Sequence, residues 1–148
     1  MTIVQVKNKN ISEGRAARYV KPRWRDGKTL STQAFDLREG DPPETYVSHY
    51  LVDNKGNESF KLAYNLISRR LKRCTTGSIA IIDIEEALNE INEEELDFIK
   101  FIDADLPHCG LVFVTNDEQK VLEAKTTLCF LAEQMLMYIE SLLETQKA

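Results

Sequence analysis

Ser78-Ile79-Ala80-Ile81-Ile82-Asp83-Ile84-Glu85-Glu86-Ala87-Leu88-Asn89-Glu90-Ile91 changes its period part-way along. Ile79 to Ile82 is an unbroken apolar run, as in a strand buried on both faces. From Asp83 the spacing becomes helical: Asp83 and Glu86 make an N-cap pairing, and Ala87, Leu88 and Ile91 follow at intervals that share a helix face. A buried strand feeding an acidic helix predicts layered packing, with this strand central in a sheet.

Upstream, Tyr46 to Val52 reads as a second strand after a loop containing Gly40, Pro42 and Pro43. Beyond the polar break Asp53–Asn57, the residues Phe60, Ala63, Tyr64, Ile67, Leu71 and Cys74 mark an amphipathic helix. Arg69, Arg70, Lys72 and Arg73, followed by Gly77, suit its C-terminus and place its end near Cys74. Downstream, Phe98 to Ile102 reads as more of the acidic helix or as a strand. Leu111 to Val114 forms a buried strand, and Thr115 with Glu118 makes a capping box that opens a long helix to about Glu144. With about 100° per residue and Leu128 at zero, Val121, Ala132, Met135, Leu136, Ile139, Leu142 and Leu143 fall in one arc. The N-terminal part is less regular. Thr2–Val6 has strand character, and Arg15–Lys28 mixes cations with aromatics around Pro22 and Gly27, as an irregular arm or a twisted edge ribbon would. The expected fold is α+β: a small mixed sheet of three to five strands packed against two amphipathic helices, the C-terminal one long. One domain is expected over residues 1–148, with 1–30 as a basic arm.

The 148 residues are enough to bury one core, and 43% hydrophobic against 29% charged residues excludes a disordered chain. No apolar run is long enough to span a bilayer or to serve as a secretory signal, so a cytoplasmic protein without a membrane partner is expected. Cys74, Cys109 and Cys129 are odd in number and widely spaced, which fits neither a disulfide framework nor a zinc-binding pair and predicts reduced, buried thiols. The net charge of −5 hides a split: residues 1–82 hold 15 Lys/Arg against 8 Asp/Glu, and residues 83–148 hold 4 against 16. Such a division suits self-association through complementary faces, or a charged partner for each half.

Three sets of side chains are candidate sites. Phe130 and Met137 fall at about 200° and 180° on the same wheel, beside Gln134 on the polar face, and predict a seam for a partner helix. Arg18, Arg23, Trp24 and Arg25, with Arg69 and Arg73, supply cations and an indole suited to a nucleic-acid backbone and its bases. Trp24 is expected to anchor the arm to the domain. Asp103, Asp105 and His108 carry the oxygen and nitrogen donors of a divalent-metal site that could activate water.

Other pairs are excluded by geometry. Ser48 and His49, like His108 and Cys109, are chain neighbours that point to opposite faces of a strand. Glu123-Ala124-Lys125 has the spacing of some nucleases but falls on a helix, and Thr75-Thr76-Gly77-Ser78 is a helix stop. No catalytic residue and no cofactor follow from these patterns.

Ser31-Thr32-Gln33-Ala34-Phe35 followed by Glu44-Thr45-Tyr46-Val47-Ser48, with Asp105-Leu106-Pro107-His108 leading into Leu111-Val112-Phe113, resembles a pattern in small bacterial proteins of unknown function. The segment around Trp24 matches in kind, while Asn116 stands where those proteins tend to have glycine. The resemblance implies a common fold and no mechanism. The expected function is therefore a non-catalytic accessory or protein-interaction domain, acting as a homo-oligomer or in a larger bacterial assembly. The alternatives are a metal-dependent hydrolase using Asp103, Asp105 and His108, and a nucleic-acid-binding module using the basic arm.

Overall fold

The computed structural model describes residues 9–37, 45–52, 57–70 and 75–147. The strand expected at 2–6, the loop around Pro42, the break at 53–56, Arg73 and Cys74 lie outside them. Nine strands are described: β1 (Asn10–Ile11), β2 (Arg15–Val20), β3 (Arg25–Asp26), β4 (Thr29–Leu30), β5 (Val47–Val52), β6 (Ser78–Asp83), β7 (Ile99–Asp103), β8 (His108–Phe113) and β9 (Leu136–Tyr138). Four α-helices accompany them: α1 (Asn57–Ser68), α2 (Ile84–Ile91), α3 (Glu118–Glu133) and α4 (Ile139–Lys147). Short 3-10 turns occupy Pro22–Trp24 and Thr32–Phe35. None of the described helices is long and apolar enough to cross a membrane.

Seven strands form one sheet in the order β1-β7-β8-β5-β2-β6-β9, with every neighbouring pair antiparallel, and β3 and β4 form a separate ribbon. This corrects the expected mixed sheet of three to five strands with two helices. The additional strands are mostly two or three residues long, too short for an alternating pattern to register. Residues Arg15–Val20 pair with β6 along their length, and Arg15–Ala17 also pair with β5 on the other side. They are an interior strand rather than part of an arm, because Ala16, Ala17 and Val20 are fully buried and the backbone of Arg15–Ala17 is paired on both edges. β6 is buried on both faces as its apolar run predicts, but it lies one place from the sheet's edge.

Alternation along the strands divides the core in two. Ala16, Val20, Val47, Ala80, Ile82, Ile99, Phe101 and Leu111 face one side, where Leu128 and Ala132 of α3, Ala87 of α2, Phe35 and Leu30 cover them. Ala17, Val52, Ile79 and Ile81 face the other side, beneath Phe60, Ala63 and Ile67 of α1 and Ile139 and Leu142 of α4. Burying each of these larger aliphatic side chains contributes about 1.5–3 kcal/mol, so both layers are needed to stabilise the sheet.

The long C-terminal helix is the second correction. α3 ends at Glu133, where Gln134 and Met135 donate to Leu131 and Ala132 in tight turns. Leu136–Tyr138 then adds to the outer edge of β6 and carries the chain to the opposite face, where α4 begins. The single arc read from the wheel therefore belongs to two helices: Leu128 and Ala132 pack on one face of the sheet, Ile139 and Leu142 on the other. The α3 cap also differs from expectation. Asp117, not Thr115, accepts from Gln119 and Lys120 N–H, while Thr115 accepts from Asp117 N–H. At α2 the expected cap is present, with Asp83 Oδ1 accepting from Glu86 N–H at 3.1 Å.

Candidate functional site

β5 and β8 bring together two side chains that are sixty residues apart. In their register Ser48 faces Gly110 and Tyr50 faces His108, so Tyr46, Ser48, Tyr50 and His108 share one face of the sheet. Ser48 Oγ lies 2.6 Å from His108 Nε2. With the ring proton on Nδ1, the hydroxyl donates to Nε2. The imidazole contacts two rings, Tyr46 edge-on at 5.7 Å between centroids and Tyr50 tilted at 5.5 Å. Gly110 makes the arrangement possible, because a Cβ there would meet the Tyr46 ring at 2.5 Å.

The loop before β8 sets where His108 stands. Asp103 Oδ1 accepts from the N–H groups of Asp105 and Leu106 at 2.8 and 3.1 Å, and Asp105 adopts φ 92°. His108 N–H donates to Asp105 O, Ala104 N–H donates to His108 O, and Leu51 N–H reaches across to Pro107 O. From the opposite face of β5, Arg18 Nη1 donates to Ser48 O at 2.8 Å and its Nε donates to Ala34 O at 2.5 Å. One guanidinium thus ties together the Ser31–Phe35 and Tyr46–Ser48 patches.

The neighbours of Ser48 and His108 are sealed in the other layer. His49 is fully buried between Phe35 and Phe101, its Nδ1 bonded to Val47 O, and burial followed by the Arg18 charge lowers its pKa to about 3. Burial, and then Asp103, pushes the Cys109 thiol up to about 12, so it is inert as a nucleophile.

The three expected sites fare differently. Asp103 faces Cys109 in the ladder, so it and His108 leave their strands on opposite sides, and Asp105 is exposed. The three do not converge, and among the described residues no group of three His, Cys, Asp or Glu side chains could hold a metal. In the basic set, Trp24 is half-buried against the core, with Arg18 and Lys21 over its ring at 5.5 and 5.1 Å. Arg25 lies over Tyr138 at 4.2 Å, while Arg23 and Arg69 are exposed. Arg69 follows α1 on the other side of the sheet, so the described cations do not form one phosphate-binding track. In the seam, Phe130 is 62% exposed on α3 and Gln134 caps that helix. Met137 instead pairs with Ile79 on β9 and packs into the second core, so the two apolar residues share no helix face.

Comparison with known proteins yields no match: no family model, no curated protein and no solved structure matches this chain. Sequence reasoning missed the Ser48–His108 pair because cross-strand register is invisible in a linear pattern. One signal did point to it: both residues fall in the patches that carry the resemblance.

Proposed function

We propose that this chain is a protein-interaction domain that associates with further copies of itself, the basic turn of one copy against the acidic cleft of another. The supporting observation is the charge of Arg23 and Lys28, for which no ion pair is found among the described residues. Among the described residues the ion pairs are Lys61–Glu58, Lys120–Glu123 and Lys125–Asp36, and none joins Arg23 or Lys28 to the acidic second half. The cleft, of about 530 Å³, lies between β1, α2 and β7, lined by Glu93, Glu94 and Asp97 against a single cation, Lys100. Arg23 and Lys28 are exposed on the turn around the β3–β4 ribbon and have the complementary charge.

Phe130 supplies an apolar part. It lies one turn before Glu133, whose carboxylate accepts from Leu30 N–H at 2.8 Å, so it borders the same basic segment. A contact between unlike surfaces is heterologous and closes into a ring or grows. The buried, free thiols Cys109 and Cys129 suit a cytoplasmic setting.

Light scattering at low and high salt tests the reading. A mass above that of one chain at low salt should fall as salt screens the contact, and should fall equally in Glu93→Lys/Glu94→Lys. A single-chain mass at low salt and high protein concentration would overturn it.

A further inference from the structure

The structure assigns a second, chemical capacity to the opposite layer of the sheet: we propose that Ser48 and His108 act as nucleophile and base in accepting an acyl group from a carboxylic ester. The 2.6 Å contact is the distance such a pair needs, and it is held by sheet register rather than by a chance rotamer. Both residues are partly exposed, whereas the competing His49 and Cys109 are buried in the other layer. Contacts with the Tyr46 and Tyr50 rings restrain the imidazole, and the loop bonds of His108 fix its backbone. Such positioning is a large part of what a third member contributes to a catalytic triad. The same two rings lie two residues before and two after Ser48, so a flat, aromatic ester is the class the site would favour.

The step balances without a further reagent. As Ser48 Oγ bonds to the carbonyl carbon, its proton passes to His108 Nε2. The bond from that carbon to the alcohol oxygen breaks, and the alcohol leaves with the proton from Nε2. Water then attacks the Ser48 ester with His108 again as base, releasing the acid and restoring the hydroxyl.

Diethyl p-nitrophenyl phosphate, incubated with the full chain, probes the pair directly, because attack by Oγ on phosphorus releases p-nitrophenolate and leaves a stable phosphoester. Peptide mass spectrometry should place the adduct on Ser48 in preference to exposed Ser12. The rate should fall about a hundredfold in His108→Gln, and the adduct should vanish in Ser48→Ala. No adduct on Ser48, or an unchanged rate in a folded His108→Gln, overturns the proposal. If that variant does not fold, the native protein decides: labelling of Ser48 no faster than of Ser12 is equally fatal.

Discussion

His49 and Gly110 show how strongly single residues are constrained here. With its folded pKa lowered to about 3, His49 stays neutral while an unfolded chain would protonate it below about 6.5. Its contribution to stability is therefore fully present above pH 6.5 and is lost as pH falls towards 3, with a slope of up to about 1.4 kcal/mol per pH unit. Urea unfolding between pH 7 and about pH 4 should show that slope, and His49→Leu should flatten it; an equal slope in the variant would assign the acid sensitivity to the carboxylates instead. Gly110 faces a different limit, since a methyl group there would collide with the Tyr46 ring at 2.5 Å. Gly110→Ala should cost about 1–3 kcal/mol in chemical denaturation and separate Ser48 from His108. A variant as stable as the parent would mean that the Tyr46 ring moves aside freely.

Among the elements, α3 depends on its first turn. Asp117 satisfies two N–H groups that the helix leaves unpaired, whereas Thr115 bonds only to Asp117 N–H in the preceding turn. Asp117→Ala should cost about 1 kcal/mol, measurable as a lower thermal midpoint, and Thr115→Ala less than half of that. Equal losses would restore Thr115 as the cap. A capping box at Thr115 and Glu118 and an aspartate cap two residues later look alike in sequence. Only the backbone angles, with Asp117 extended and Glu118 helical, separate them.

For the molecule as a whole, Phe130 and Met137 now make opposite predictions although they are seven residues apart in one apparent helical pattern. Phe130 is largely exposed, so Phe130→Glu should leave stability within about 0.5 kcal/mol and lower the solution mass. Met137 packs between the edge of the sheet and the second core, so Met137→Glu should cost about 2 kcal/mol or more, seen by calorimetry, before any change in assembly. A stable Met137→Glu variant would contradict the placement of β9.

Local patterns alone settled a good deal: β5, β6 and β8 as strands, the amphipathic character of α1, the Asp83 cap of α2, and the opposite orientations of Ser48 and His49. Each depends on residues within one or two turns of one another, and local sterics and alternation decide them. The number of strands, the interior place of Arg15–Val20, the break between α3 and α4, and the meeting of Ser48 with His108 were decided only in three dimensions. Leu136–Tyr138 continues a helical spacing, yet the unpaired edge of β6 offers its backbone a ladder, and the second core offers Ile139 and Leu142 a face that α3 cannot reach. Long-range pairing of that kind overrides local propensity because it satisfies backbone groups and buries apolar surface on both sides of the sheet at once.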